Sequence, residues 1–303
     1  MKNILVVILL SMLIGDGYET RSRTAALSSL VQTERLFART CGEKGIRASF
    51  LEFFAGDAIA FIPEPVKYKD AVKGLPAPDP HAVSLEWEPQ VGEVAASCDL
   101  GYTTGPSVRT DNTVPGKPRH YGVFFSAWKK QKDGTWKVAV DIGVSTPGQS
   151  TPLGMPFSEP ERKPVAVHAG KIPSMDRHAT VMSLDTELSN SCSSLGLLDG
   201  YLSRVDDESR LYRKNTMPII GVDSIRSYLR KGTATPTWKP VAGDMSLAGD
   251  LGYSYGSYEY TSTSGNQSPV EKGYYLHVWK RTVVDEWKIV ADVTNPVEPE
   301  AKK

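Results

Sequence analysis

The sequence lacks a surplus of either charge. Its 303 residues contain 35 Lys and Arg against 35 Asp and Glu, so the formal net charge is zero. A protein that neutralises nucleic-acid phosphates or an anionic membrane surface carries a basic excess. The balanced charge therefore argues against both kinds of partner, and we expect neither nucleic acid nor a membrane to be bound by the folded part of the chain.

Cysteine is scarce, and its spacing excludes the common metal motifs. The three cysteines are Cys41, Cys98 and Cys192, and no C-x-x-C pair or His/Cys cluster with metal-ligand spacing is present. We therefore expect no metal and no cofactor. An odd number of thiols cannot all pair within one chain. A bridge between Cys41 and Cys192 and three buried, unpaired thiols both stay open, and the second is favoured.

Long apolar runs are also missing, apart from one at the start. Residues 4–14 are apolar except for one Ser, with Lys2 before them and Gly15-Asp16-Gly17 after them. The run is short for a membrane span, and small residues follow it where a signal peptidase cleaves. Residues 1–17 are predicted to be a signal peptide, so we expect an exported protein, periplasmic or secreted. The alternative is an uncleaved anchor.

One block of the sequence occurs twice. Residues 99–105 read D-L-G-Y-T-T-G and residues 250–256 read D-L-G-Y-S-Y-G, an offset of 151. The same offset relates Trp87 to Trp238, Pro89 to Pro240, Trp128 to Trp279, Trp136 to Trp287, Asp141 to Asp292 and Cys41 to Cys192. A constant offset over about a hundred residues indicates two copies of one domain. The predicted bounds are 24–146 and 175–296, with a Pro-rich linker at 147–174 and a charged, disordered tail at 297–303.

Each copy has helical spacing first and strand patterns afterwards, which predicts an α+β fold. Gly45 and Gly196 mark the turn between a long helix and a short one. In the second copy residues 221–229 predict a third helix with Asp223 as its N-cap, whereas prolines shorten the corresponding stretch of the first copy. The last sixty residues of each copy predict antiparallel strands.

The repeated motifs carry a family resemblance. W-x-P-x-x-G, D-L-G-Y-x-x-G, a strand ending in Trp-Lys, and W-K-[VI]-x-x-D follow the helices in both copies. This combination resembles the nuclear transport factor 2-like superfamily, which includes SnoaL-like and ketosteroid isomerase-like proteins, and in particular a bacterial branch without an assigned function. The resemblance implies a curved antiparallel sheet wrapped around the N-terminal helices as an open cone, a cystatin-like roll. It also implies dimerisation through the outer sheet face, so we expect the copies to form an intrachain pseudo-dimer.

The resemblance allows one enzymatic reading to be tested on the residues. Aligned on Asp57 and Glu208, the general base of ketosteroid isomerases falls on Ile62 in the first copy and on Arg213 in the second. Neither side chain can abstract a proton as a carboxylate does. Isomerase chemistry of that kind is therefore not expected.

A few other side chains could carry chemistry. Asp141 and Asp292 lie on the last strand of each copy, where a carboxylate needs a partner or a wet pocket, and His277 shares strand parity with Tyr275 and Trp279. A structural role is the alternative for each of these weak catalytic candidates. The predicted ligand-binding residues are Tyr102, Tyr253, Trp87, Trp238, Trp128 and Trp279.

The sequence favours a binding protein over an enzyme. Both copies keep mostly Gly, Trp, Pro and turn Asp, and no transferable catalytic set is present. We expect a small apolar or amphipathic ligand in a cone-shaped pocket, or a role as an interaction module. The alternative is an isomerase, dehydratase or cyclase that uses an Asp or His with a Tyr. A third possibility is that the first copy is a degenerate scaffold.

Overall fold

A computed structural model describes residues 2–158, 174–232, 234–262, 269–282 and 284–297, with side chains from residue 22 except at 174–175 and 269–270. The side chains of the predicted signal segment, most of the predicted linker and the tail lie outside the described residues. Among the described residues, no helix is both long enough and apolar enough to cross a membrane.

The first copy contains three helices and a mixed sheet. Its helices and strands are α1 (Lys2–Lys44), α2 (Ile46–Phe53), β1 (Phe54–Ile62), β2 (Glu64–Lys67), α3 (Tyr68–Val72), β3 (Val83–Trp87), β4 (Val91–Val94), β5 (Leu100–Asp111), β6 (Arg119–Lys130) and β7 (Trp136–Ser145). The strand order is β2-β1-β7-β6-β5-β3, with β4 also paired to β5.

The second copy repeats this plan. Its helices and strands are α4 (Ser174–Leu195), α5 (Leu197–Leu202), β8 (Arg210–Arg213), β9 (Ile219–Ile220), α6 (Val222–Leu229), β10 (Ala234–Met245), β11 (Leu251–Ser262), β12 (Pro269–Arg281) and β13 (Trp287–Pro296). The strand order is β10-β11-β12-β13-β8-β9. The predicted α+β class is confirmed.

Two local expectations need correction. The sheets are not purely antiparallel, because β1 runs parallel to β7 and β8 runs parallel to β13. Helix α6 is present, but Gly221 precedes it with φ 82° and no side chain caps it, so Asp223 is not the N-cap. The prolines of the first copy act as predicted, since α3 has only five residues.

Each sheet has an inner face, which we define as the face packed against the long helix of its own copy. In the first copy Phe37 of α1 lies at the centre, with its ring 4.9 Å from Phe53 and 4.8 Å from Trp87. Gly45 turns the chain from α1 into α2 with φ 82°, and Gly196 does the same in the second copy with φ 85°. These positive φ angles favour glycine, as the sequence predicts.

The outer faces of the two sheets pack against each other. Alternating residues of β5, β6 and β7 meet those of β11, β12 and β13 in one apolar core. Its larger members are Leu100, Tyr102, Phe125, Val140, Ile142, Tyr212, Leu251, Tyr253, Leu276, Val278 and Val293. We call this cluster the shared core. Because alternate strand residues face opposite sides, each sheet contributes one set to the shared core and the other to its own inner face.

Reciprocal hydrogen bonds tie the two copies at their repeated turns. The backbone N–H of Ala96 donates to Asp250 Oδ2 at 2.8 Å, and that of Leu247 donates to Asp99 Oδ2 at 3.1 Å. Ala96 and Leu247 are themselves 151 residues apart. The exchange is that of an isologous interface, in which each surface contacts the equivalent part of its partner. The repeated Asp therefore holds the copies together as well as forming its own turn.

Ion pairs follow the same symmetry. Lys280 Nζ lies 2.8 Å from Glu93 Oε1, and Lys129 pairs with Asp244. Both the lysines and the carboxylates are related by the offset of 151. An intrachain pseudo-dimer that is monomeric in solution remains a prediction.

Asp250→Asn is expected to lower the free energy of unfolding by about 2 kcal/mol, the scale of hydrogen bonds to a buried charged group. Asp250 is 2% exposed and accepts from Ala96 and from Ser246 Oγ at 2.7 Å. An amide NH2 would face one of these donors. Urea unfolding monitored by tryptophan fluorescence measures the change.

Asp133→Asn is the matched control, because Asp133 also accepts backbone and hydroxyl donors in a turn but contacts only its own hairpin. We expect this variant to stay within about 0.5 kcal/mol of wild type. Equal losses in the two variants would contradict a role for Asp250 in holding the copies together.

Candidate functional site

A carboxylate from the long helix lies at the middle of each inner face. Glu34 of α1 and Asp185 of α4 are related by the offset of 151, and neither has any solvent exposure. A buried carboxylate is unfavourable without hydrogen-bond donors. Sequence reasoning missed this pair, although the repeat offset applied to acidic positions of the helices would have found it.

In the first copy, neutral donors surround the carboxyl group. Glu34 accepts from Trp87 Nε1 at 2.6 Å, from Thr103 Oγ1 at 2.5 Å and from Trp128 Nε1 at 3.0 Å. Burial outweighs these bonds and raises the pKa of Glu34 to about 7. The group therefore changes charge near neutral pH without a cation beside it.

Asp141 lies on β7 of the same sheet, with one hydrogen-bond partner among the described residues. Ser126 Oγ donates to Asp141 Oδ2 at 2.6 Å, and the Asp is partly buried. Burial raises the pKa of Asp141 to about 6. The first copy thus holds two carboxyls whose charged forms are disfavoured.

In the second copy the helix carboxylate meets an imidazole. His277 Nδ1 lies 2.8 Å from Asp185 Oδ1. Tyr275 OH donates to Asp185 Oδ2 at 2.6 Å, and Trp279 Nε1 donates to Oδ1 at 3.1 Å. The parity that relates His277, Tyr275 and Trp279 in the sequence therefore brings all three to one carboxylate.

The other side of His277 faces a second carboxylate. His277 Nε2 lies 3.5 Å from Asp292 Oδ1. Arg213 donates to Asp292 from both terminal guanidinium nitrogens, from Nη1 to Oδ1 at 3.0 Å and from Nη2 to Oδ2 at 2.5 Å. Tyr201 OH also donates to Oδ2. We call Asp185, His277, Asp292 and Arg213 the charge chain, since anion and cation alternate along it.

The surroundings favour the charged forms of His277 and Asp292 at neutral pH. Burial alone would lower the pKa of His277, but Asp185 and Asp292 outweigh it and raise that pKa to about 9. Burial likewise opposes ionisation of Asp292, yet Arg213 and His277 hold the pKa of that carboxyl well below its usual range. Each buried charge therefore has a partner of opposite sign, which is the condition under which buried charges are tolerated.

A cavity of about 340 Å³ opens beside the end of the charge chain. Arg213 is the one member of the chain that lines it, because Asp185, His277 and Asp292 are fully buried. The other described lining residues are Leu197, Lys214, Thr216, Tyr228, Leu229, Lys231, Gly232, Ala234, Tyr260, Glu271, Thr294 and Pro296. We call this the mouth cavity. The chain therefore presents a fixed guanidinium to the cavity and keeps its imidazole away from it.

The predicted tyrosines lie on the other side of the sheets. Tyr102 and Tyr253 are part of the shared core, where Tyr102 stacks on Phe125 at 5.3 Å. Strand parity places both on the outer faces of their sheets, away from the long helices. Their binding of a ligand stays a prediction, and Tyr253 lines a different cavity.

The predicted tryptophans lie on the inner faces but are closed off. Trp128 and Trp279 have no exposure, and Trp87 and Trp238 are 7% and 3% exposed. None of the four lines the mouth cavity. Trp87, Trp128 and Trp279 donate to a helix carboxylate, and Trp238 packs against His277. Their observed contacts belong to the core, and ligand binding by them stays a prediction.

Metal-binding geometry does not occur in the described part of the chain, where no group of His, Cys, Asp and Glu side chains could hold an ion. The three cysteines are unpaired thiols, with Cys41 and Cys192 buried. Of the two alternatives that the sequence left open, the structure contains the unpaired thiols, but Cys98 is only half-buried and not buried as expected.

Comparisons with known proteins found likeness in structure only. No family model and no curated protein matches the chain. A ketosteroid isomerase-like protein from Erwinia carotovora atroseptica is 12% identical, covering 40% of this chain and 96% of its own, with a TM-score of 0.34. An NTF-2-like protein of unknown function from Shewanella oneidensis is 13% identical, covering 38% and 97%, at 0.32. A cystatin-like protein of unknown function from Nostoc punctiforme is 8% identical, covering 43% and 96%, at 0.33.

The free energy of unfolding is expected to fall as the pH rises from about 6.5 to 9. The folded-state pKa of His277 is about 9 against 6.5 for the unfolded group, so the native state binds the proton more tightly. Its stabilisation is complete below 6.5 and lost through 9, in total about 3 kcal/mol. Urea unfolding at several pH values measures the slope. His277→Gln should flatten it between pH 7 and 9, and an unchanged slope in that variant would contradict the assignment.

Glu34→Gln and Asp185→Asn form a matched pair. Glu34→Gln should destabilise by about 1 kcal/mol at pH 8, because the amide oxygen can still accept from Thr103 and Trp128. Asp185→Asn should cost about 3 to 5 kcal/mol, because it leaves the imidazolium without its nearest counter-charge. Chemical denaturation of both variants tests this, and equal losses would contradict the difference drawn between the copies.

Proposed function

We propose that the second copy binds a small amphipathic molecule in the mouth cavity. The observation that carries the proposal is the cavity of about 340 Å³ over a buried, ion-paired Arg213. Small-molecule sites of this size combine an apolar lining with a few fixed polar groups. A guanidinium held in place by Asp292 needs no reordering when a ligand arrives.

The lining suggests how such a ligand would lie. Leu197, Leu229 and Tyr228 offer apolar surface, whereas Lys214 and Lys231 bring positive charge against the single carboxylate of Glu271. Glu271 in addition accepts from Tyr258 OH at 2.6 Å. An apolar body with an acidic head matches this division, the head lying toward the lysines and Arg213.

The first copy lacks the parts that form this cavity. Ile62 stands where the second copy has Arg213, and it is 54% exposed. Helix α3 has five residues, whereas α6 has eight and supplies Tyr228 and Leu229 to the lining. These differences support a scaffold role for the first copy, with the ligand held by the second.

Burial of the titratable groups favours binding over acid–base catalysis. A general base must lie within hydrogen-bond reach of the proton that it removes. His277 and Asp292 are fully buried and lie 3.5 Å apart, and neither lines the mouth cavity. The isomerase, dehydratase or cyclase alternative is therefore the less favoured proposal. Export also remains a proposal, resting on the apolar run at 4–14.

Binding can be tested with 8-anilinonaphthalene-1-sulfonate, an amphipathic anion whose fluorescence rises in apolar sites. We expect saturable binding to wild type. Thr216→Trp, which fills the cavity, should weaken binding at least tenfold, and Lys231→Glu about threefold, through loss of charge complementarity. Fluorescence titration gives the dissociation constants.

Lys69→Glu is the matched control, because it makes the same charge change at an exposed position of α3 in the first copy. It should leave the dissociation constant unchanged. Loss of binding in this control, or full binding by Thr216→Trp, would place the probe outside the mouth cavity and contradict the proposal.

A further inference from the structure

A second cavity lies at the seam between the two copies. Its volume is about 410 Å³, and both copies contribute to its walls. Its described charged and aromatic lining residues are Asp57, Lys129, Lys130, Lys132, His178, Asp244, Tyr253 and Tyr255, with Ile59 and Ala242 among the apolar ones. We call it the open seam.

The pseudo-twofold relation gives this cavity a built-in comparison. The residues equivalent to Lys129, Asp244 and Asp57 are Lys280, Glu93 and Glu208. On that side Lys280 Nζ contacts Glu93 at 2.8 Å and Glu208 at 3.8 Å, and only 12% of the lysine side chain is exposed. The carboxylate of Glu208 thus lies beside this lysine, in addition to its nearer partner Glu93. We call this side the closed seam.

The open seam leaves the same position unfilled by the protein. Lys129 pairs with Asp244, but Asp57, one methylene shorter than Glu208, makes no ion pair with it among the described residues. The Lys129 side chain is accordingly 44% exposed. Space and an ammonium group are therefore present where the closed seam holds a carboxylate.

The closed seam contains more ion-paired carboxylates than the open one. In the closed seam Lys280, Arg281 and Arg23 pair with Glu93, Glu208 and Asp285, and Arg210 lies close to Tyr102. In the open seam, three lysines line the cavity against Asp57 and Asp244, and Arg177 also pairs with Asp244. Positive charge therefore exceeds negative charge around the open seam.

A phenol hydroxyl in this cavity is available to a ligand. Tyr253 lines the open seam, and no hydrogen bond from its OH to another described residue is found. The OH is open to the cavity and is not enclosed by protein. Burial of the rest of the side chain raises the pKa of Tyr253 well above its usual value, so the phenol keeps its proton and can donate.

We infer that the open seam binds a small organic anion, a carboxylate or a phosphate monoester on a compact apolar body. Its anionic group would lie near Lys129 and Lys132 and accept from Tyr253 OH, in the place that Glu208 occupies in the closed seam. Ile59, Ala242 and the ring of Tyr255 would contact the apolar body. This site is separate from the mouth cavity and does not depend on the function proposed for it.

Benzoate and phenyl phosphate are suitable probes, since they share one apolar body and differ in the anion. Calorimetric titration of the full chain should show binding of at least one of them, and the tighter one identifies the anion. Tyr253→Phe removes only the hydroxyl and should weaken binding about tenfold, the effect of one charge-assisted hydrogen bond. Lys132→Glu, at an exposed position, should weaken it at least threefold.

Tyr102→Phe makes the same change in the closed seam and should leave the affinity unchanged. The inference would be overturned if neither probe bound wild type at millimolar concentration, or if the two Tyr variants weakened binding equally. It would also be overturned if Thr216→Trp abolished binding, because the probe would then occupy the mouth cavity. Retained affinity in Thr216→Trp together with its loss in Tyr253→Phe would support the open seam.

Discussion

The rest of the structure depends on one interaction, the buried carboxylate that each long helix places on the inner face of its sheet. A carboxylate in that position requires donors from the sheet. Trp128 and Trp279 supply one in both copies, which gives these matched tryptophans a reason beyond packing. The copies differ in what completes the set. Glu34 has only neutral donors, and burial raises its pKa to about 7, whereas Asp185 lies beside an imidazole whose pKa is raised to about 9.

This difference explains why several substitutions between the copies belong together. Ser126 in the first copy corresponds to His277 in the second, and Ile62 corresponds to Arg213. One imidazolium between two carboxylates gives a net charge of −1. Burying such an unpaired charge away from water is unfavourable. Arg213 supplies the balance at the outer end. The charge chain therefore runs from Asp185 on the helix to Arg213 at the mouth cavity. The guanidinium of Arg213 is needed there because the carboxylate of Asp185 brings one more negative charge into the core.

The sequence was sufficient for the features that depend on local pattern and on the repeat. The offset of 151 predicts the two copies. The spacing of apolar residues predicts helices before strands, the turns at Gly45 and Gly196, and helix α6. The parallel strands β1 and β8 were missed, because parallel pairing depends on a distant partner and neither strand has a clear alternation. The sequence did not say which sheet face Tyr102 and Tyr253 occupy, since parity separates two faces without saying which one the helix covers. The charge chain was missed for a related reason: its members come from four separate elements.

Duplication within one chain permits an asymmetry that a symmetric homodimer cannot have. In a homodimer any change at one seam appears at the other, whereas here Glu208 fills one seam and Asp57 leaves the other open. The positions that keep the repeat are those needed by both halves, such as Asp99 and Asp250, which exchange hydrogen bonds across the interface. Some of the positions that diverge lie at the two cavities. Arg213 lines the mouth cavity where the first copy has Ile62, and Asp57 lines the open seam where the closed seam has Glu208. A chain that carries both halves can change one cavity wall without changing its counterpart, and this freedom permits the two copies to differ in what they bind.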